Sequence, residues 1–316
     1  MAAAAASLVG RDPAAPSPLP GAAAAAATCI PAVSGAAPPL EGGVAATGLG
    51  TGAPAYYELG QPTGAAAGQP PKGLMILIHG GSWIYVGPHD SSLERTDADR
   101  WRARGWETLN ITYGGCARSI PDVLAFHDLA RALVGPTLPI CAEGRSAGAQ
   151  LAVLMAELRP DVSCVIGMGT PADFATLRGE SASQPQKHGA QALAGMVDVA
   201  FAGDPAADPA THPSIRGRLL LATGEADWLV PQAQATDLAA AIHAVDPGHV
   251  VDVLTVAGGS DSWFVHGPAS SAALRDFFAH EERLVSNLPP VPPPPPPPAP
   301  AAAATTDRAQ GPRPVS

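Results

Sequence analysis

The sequence predicts an α/β domain built on a mostly parallel sheet with helices on both faces. Continuous apolar runs of strand length occur at 73–78 and 162–168, which is typical of strands buried on both faces. Segments with helical spacing lie between such runs, for example at 123–134. Because strands that alternate with helices imply right-handed crossovers, we expect parallel pairing and helices packed on each side of the sheet.

Size and charge narrow the class of protein. A chain of 316 residues and 31.7 kDa fits one large domain with a sizeable core. Only 15% of its residues are charged and the net charge is -10, which disfavours binding to nucleic acid or to an anionic membrane surface. No run of strongly apolar residues is long enough for an integral membrane segment. The oligomeric state stays open.

Composition divides the chain into three parts. Residues 1–52 consist largely of Ala, Gly and Pro, which cannot bury enough apolar surface to offset the entropy of ordering. We expect this segment to be disordered, and likewise the proline-rich tail at 288–316. The folded domain is predicted at 53–287. The alanine runs resemble parts of a secretory signal, but no basic region precedes them, so cytoplasmic and secreted locations both stay open.

One long segment lies between the strands that end at residue 168 and begin at residue 219. A connection of that length is typically a lid or a functional insertion, and we expect a cap at about 171–212 with a helix at 190–201. The other predicted strands lie at 56–59, 106–113, 219–222 and 250–256, and the other helices at 232–244 and 269–285.

The central motif is Gly144-Arg145-Ser146-Ala147-Gly148, which lies between a short strand and an amphipathic helix within 139–158. This is the strand, turn and helix context of a nucleophile elbow. A serine hydroxyl reacts only when it is held beside a base and beside donors for the developing oxyanion. The sequence therefore predicts Ser146 as a nucleophile, although the motif alone is a weak signal.

A base and an acid follow in the order that such a site requires. His266 lies between the last predicted strand and the last helix, whereas His243, His249 and His280 fall in or beside regular elements. Asp227 comes shortly after the strand at 219–222, in a Gly-containing turn. The order Ser, Asp, His predicts a Ser146, Asp227 and His266 triad, with Glu225 as the rival acid.

Oxyanion donors are expected from two separate segments of the chain. One is the backbone N–H of Ala147, and the other comes from the glycine-containing loop after the first long strand, with Gly81 preferred and Ser82 as second choice. Trp83 and Tyr85 follow in the same loop. They are predicted either to line the substrate pocket or, equally, to pack beneath the cap.

Together these motifs resemble the α/β-hydrolases of the esterase and lipase type, and in particular the carboxylesterases with an H-G-G-x-W motif. The resemblance rests on residues 79–83, 144–148 and 224–231 and on His266, and it spans about 56–285. It implies an eight-stranded sheet, attack of the serine on an ester carbonyl, and His266 acting first as base and then as acid. It also implies an acyl-enzyme that water resolves without a cofactor.

Two positions depart from that pattern. Ser82 stands where relatives of the hormone-sensitive-lipase type carry a third glycine, and Arg145 fills an elbow position that is acidic or small in many relatives. Arg145 either pairs with Glu143 or presents positive charge to an acidic substrate. We therefore include Arg145, with Trp83 and Tyr85, among the candidate substrate-binding residues.

The four cysteines show no spacing typical of a zinc site, and we expect no metal. Cys141 and Cys164 fall on successive core strands, where two unpaired buried thiols are favoured over a disulfide. Cys29 and Cys116 are expected to pair only if the chain is exported.

The sequence thus predicts a serine carboxylic-ester hydrolase that acts on small or medium acyl esters, with a small-molecule ester as its partner. Two other activities on the same fold remain open: a peptidase or amidase, and a polysaccharide deacetylase or feruloyl-type esterase. A different class, a non-catalytic binding protein with the hydrolase fold, is disfavoured because all three candidate triad residues are present.

Overall fold

The computed structural model describes residues 44–46, 55–83, 90–183, 188–211, 213–259, 265, 269–286, 288 and 291. Eight strands form one sheet in the order β1-β2-β4-β3-β5-β6-β7-β8. Strands β3 to β8 are mutually parallel, and β2 runs antiparallel to both β1 and β4. The strands are β1 Val44–Ala46, β2 Ala55–Gly60, β3 Leu74–Ile78, β4 Glu107–Ile111, β5 Ile140–Arg145, β6 Val162–Met168, β7 Arg218–Gly224 and β8 Val251–Val256.

Helices cover both faces of this sheet, as the alternation of strands and helices predicts. Buried side chains of α1 and α7 pack on one face, and those of α2, α3 and α6 pack on the other. The described helices are α1 Asp90–Ala103, α2 Ser119–Val134, α3 Ala147–Leu158, α4 Phe174–Ser183, α5 His188–Phe201, α6 Ala233–Val245 and α7 Ser271–Ser286. None of these described helices combines the length and apolarity that a membrane crossing requires.

The insertion between β6 and β7 carries α4 and α5, and α5 corresponds to the helix predicted at 190–201. Its aromatic side chains pack on the loop that follows β3. The rings of Phe174 and Phe201 lie 6.1 and 5.4 Å from the ring of Trp83, both edge to face. These contacts hold the insertion, which we call the cap, against the loop that follows β3.

Two expectations are corrected by the structure. The three residues of β1 lie inside the segment that composition predicted to be disordered, and they pair with β2. Cys141 and Cys164 form a disulfide instead of remaining two unpaired thiols. A register shift between Ile140 and Cys141 sets the two cysteines directly opposite each other, with 4.6 Å between their Cα atoms.

Cys116 is disulfide-bonded as well, and its partner lies outside the described residues. Disulfides persist mainly in proteins that fold in oxidising compartments.

Candidate active site

The nucleophile candidate Ser146 adopts a conformation that L-residues rarely tolerate. It lies between β5 and α3 with φ of 50° and ψ of -120°. Such a backbone persists only where the surrounding structure enforces it, and it is concentrated at functional sites. The enforcement is visible here, because the Ser146 N–H donates a hydrogen bond of 2.8 Å to the carbonyl of Met168 at the end of β6.

The two glycines of the motif are required by close packing. A Cβ on Gly144 would overlap the backbone of Gly148, and a Cβ on Gly148 would overlap the carbonyl groups of Ile78 and His79. Helix α3 can therefore approach β3 and the start of the following loop only because no side chain intervenes. This contact sets Ser146 next to the loop that we expect to supply an oxyanion donor.

That loop is strained over three successive residues. Gly81, Ser82 and Trp83 have φ values of 118°, 54° and 60°, of which only the first is ordinary for its residue type. The Cys116 N–H donates to the carbonyl of Trp83 over 2.5 Å. Because backbone strain has to be held in place by contacts of this kind, the loop is a preorganised feature of the fold.

Tyr113, which the sequence did not suggest as a site residue, holds the first part of the loop. Its ring stacks on that of His79 with 4.3 Å between centroids and 9° between planes. Its hydroxyl lies 2.9 Å from the carbonyl of His79 and 3.2 Å from that of Gly80, and donates to them. A tyrosine at the end of a predicted core strand was the available signal, since a buried phenol needs a polar partner.

Asp227 has the environment expected of the acid in a triad. Its side chain is buried, and its Oδ1 accepts hydrogen bonds from the backbone N–H groups of Leu229 and Val230 at 2.9 and 2.8 Å. Glu225, the rival, is exposed and accepts from the N–H of Gly258 at 3.0 Å. A buried and fixed carboxylate is better suited to orient an imidazole than an exposed one.

Ser146 and Asp227 lie at the same edge of the sheet. The first follows β5 and the second follows β7, with β6 between them. Two strand spacings correspond to about 10 Å, a gap that one histidine side chain and its two hydrogen bonds can span. The predicted base His266 lies outside the described residues, as does Tyr85, so the closure of the triad stays a prediction.

The structure favours packing over substrate contact for Trp83. The side chain is fully buried under the cap, and its Nε1–H donates to Oε1 of Gln150 over 2.8 Å. Of the two roles that the sequence allowed for Trp83, this environment fits the packing role.

Arg145 does not face a substrate. Its side chain is 1% exposed and forms an ion pair with the carboxylate of Asp97. Its Nε lies 3.8 Å from Oε1 of Glu94, and its Nη1 donates to Sδ of Met168 over 3.2 Å. The physical reason is the alternation of a strand, which directs Arg145 to the α1 side of the sheet. The expectation of a substrate contact is therefore corrected, and Arg145 instead joins the end of β5 to α1.

Arg145 belongs to a buried ion cluster on the α1 and α7 face of the sheet, formed by Glu94, Asp97, Arg100, Arg104, Glu143, Arg145 and Glu281. Glu143 lies at its centre, where it accepts from Trp101 Nε1 at 2.6 Å and from Arg100 at 3.3 Å. Burial raises the pKa of Glu143 to about 8 despite the attraction of Arg100. Burial thus favours the protonated form of the Glu143 carboxyl.

This raised pKa predicts a loss of stability as the pH rises. Above the ordinary pKa of 4.5 the unfolded chain releases the Glu143 proton, while the folded chain retains it up to about 8. The contribution of Glu143 is thus fully present below pH 4.5 and is lost as the pH approaches 8. Between these two pKa values the free energy of unfolding of the wild type should fall as the pH rises. Glu143→Gln should make this slope less steep by about 1.4 kcal/mol per pH unit, which corresponds to one proton.

Urea unfolding at several pH values tests this prediction, with Glu282→Gln as the control because Glu282 is an exposed glutamate that directly follows Glu281. The control should keep the wild-type slope. Equal slopes for wild type and Glu143→Gln would show that Glu143 does not retain its proton.

Comparison with known proteins supports the fold. No family model matches the sequence, and no curated protein matches it either. Solved structures do match the fold. A hormone-sensitive lipase from a metagenome library is 17% identical, with 84% of this chain and 91% of that chain covered at a TM-score of 0.60. An esterase of the bacterial hormone-sensitive lipase family is 18% identical, with 75% of this chain and 82% of that chain covered at a TM-score of 0.59.

Carboxyl esterase 2 of the fungus Tuber melanosporum is 15% identical, over 74% and 83% of the two chains, at a TM-score of 0.54. This chain therefore has the α/β-hydrolase fold. At such identities the likeness establishes the fold, and the activity has to be argued from the site.

Proposed function

We propose that this protein is a serine hydrolase of carboxylic esters that acts on small or medium acyl groups. The observation that carries the proposal is the enforced backbone of Ser146, at the tip of a strand and helix turn directly beside a strained loop. Together, a nucleophile held in this way and a preorganised loop supply what acyl transfer requires. The esterases among the structural neighbours support the same reading.

In the proposed reaction, Ser146 Oγ attacks the ester carbonyl while His266 accepts the hydroxyl proton. The backbone N–H groups of Ala147 and Gly81, with Ser82 as second choice, donate to the oxyanion of the tetrahedral intermediate. His266 then gives the proton to the departing alcohol. Water attacks the acyl-enzyme with His266 again as base, which releases the acid and restores Ser146.

Asp227 orients His266 in this scheme and stabilises the imidazolium that forms. Because its Oδ1 already accepts two backbone N–H groups, we assign Oδ2 to the histidine. No cofactor takes part in these steps.

Hydrolysis of p-nitrophenyl acetate, butyrate and octanoate by the purified full chain tests the proposal. We expect turnover that is fastest on the shorter esters, and a fluorophosphonate probe should add to the peptide that contains Ser146. Turnover of a p-nitroanilide at a comparable rate would favour the amidase alternative. A folded protein that neither turns over these esters nor reacts with the probe would contradict the proposal and favour a binding protein.

A further inference from the structure

Gln150 forms a buried junction between three parts of the site. It lies in the first turn of α3, four residues after Ser146, and is fully buried. Its Oε1 accepts from Trp83 Nε1 at 2.8 Å, and its Nε2 donates to the carbonyl of Ala207 at 2.6 Å. Ala207 ends the short 3-10 turn Pro205–Ala207, where the chain returns from the cap.

This junction connects the two halves of the proposed oxyanion hole. Ala147 is the first residue of α3, where N–H groups have no partner within the helix. Gly81 belongs to the strained loop, two residues before Trp83. The bond between Trp83 and Gln150 is a side-chain link that joins the loop to α3, so it helps to set the distance between the two donors.

We infer that Gln150 is a positioning residue that holds the oxyanion loop in register with the nucleophile helix through Trp83. The inference rests on the proposed esterase function. Without the amide of Gln150, the indole N–H of Trp83 would be left buried without an acceptor, and a buried polar group in that state is costly enough to drive a rearrangement. Trp83, and with it the positive-φ segment from Gly81, would then shift relative to Ala147.

The fold offers a matched control in Gln234. This glutamine is equally buried, on α6. Its Oε1 accepts from the N–H groups of Ala172 and Asp173, each at 3.0 Å, and its Nε2 donates to Thr176 Oγ1 at 3.0 Å. It therefore ties the base of the cap to α6 through the same kind of contacts, but it does not bond to the oxyanion loop.

The experiment compares Gln150→Leu with Gln234→Leu in the full chain, by thermal unfolding and by p-nitrophenyl butyrate kinetics. Both variants should lose stability to a similar extent. Gln150→Leu should lower kcat about 10- to 100-fold with little change in KM, because displacement of a donor weakens binding of the transition state more than binding of the substrate. Gln234→Leu should keep kcat within about threefold of wild type, a change too small to indicate loss of a transition-state contact.

Trp83→Phe provides the second variant, because it removes the indole donor and keeps an aromatic ring in place. It should lower kcat, and adding it to Gln150→Leu should cause little further loss, since both changes break the same bond. The binding of an alkyl trifluoromethyl ketone, whose adduct with the serine carries an oxyanion, should weaken in parallel with kcat.

The outcomes separate this inference from the proposed function. A wild-type protein without serine-dependent turnover would overturn the esterase proposal itself. A wild type that turns over, with equal kcat losses in Gln150→Leu and Gln234→Leu or with additive losses in the double variant, would overturn only the positioning role of Gln150.

Discussion

Replacing Ser146 by alanine is expected to abolish ester hydrolysis while leaving the fold intact. The change removes the attacking oxygen, and the loss of a serine nucleophile typically costs about 10⁴- to 10⁶-fold in kcat. Alanine keeps the Cβ, so the strain at φ of 50° is the same for both residues and the melting temperature should not fall. Steady-state kinetics and a thermal melt of the purified variant measure the two effects separately.

Ser163→Ala is the matched control, because Ser163 is also a buried serine and lies on the neighbouring strand β6. It should retain full turnover and should still react with a fluorophosphonate probe, whereas Ser146→Ala should lose both. Residual turnover near the wild-type level in Ser146→Ala would rule out Ser146 as the nucleophile.

The parallel core of this fold could be predicted from the sequence because its signal is local. Strands β3 and β6 are buried at every position, so they stand out as continuous apolar runs. The elbow was predictable for the same reason, since Gly144 and Gly148 mark a close approach within a few residues of Ser146.

Helix α1 could not be predicted in this way. Its inward side carries Glu94, Asp97 and Trp101, so that the apolar periodicity of an ordinary surface helix is absent. The charges of this helix are compensated by Arg145 on β5 and by Glu281 on α7, which interacts with Arg100. Partners that lie far away in the sequence leave no local pattern.

The disulfide and the role of Arg145 differ in how far the sequence could have revealed them. Cys141 and Cys164 face each other on paired strands because of a register shift at Ile140. Register is a property of two strands rather than of either one. The direction of Arg145, by contrast, follows from alternation along β5, which puts it on the same face as Glu143. That signal was present, and it pointed to the ion cluster rather than to a substrate.

The second large effect is expected from Asp227→Asn, which should lower kcat about 10⁴-fold, as loss of the triad acid does elsewhere. The two backbone N–H groups of Leu229 and Val230 require an oxygen at the Oδ1 position. The amide of an asparagine must therefore place its oxygen there and its NH₂ at the Oδ2 position. In the proposed triad this NH₂ would face the imidazole of His266. It would be opposed to the imidazole N–H that has to point toward residue 227, because two donors cannot bond to each other. The variant would therefore favour the wrong tautomer of the imidazole.

Glu225→Gln is the paired control, because Glu225 is exposed and a glutamine oxygen can still accept from the N–H of Gly258. Its kcat should stay close to that of wild type, and both variants should unfold at similar temperatures since each preserves its backbone contacts. If Glu225→Gln instead showed the larger loss of kcat, the acid would be Glu225. The two exchanges together thus test whether a buried carboxylate fixed by backbone amides, rather than the exposed one two residues earlier, orients the base.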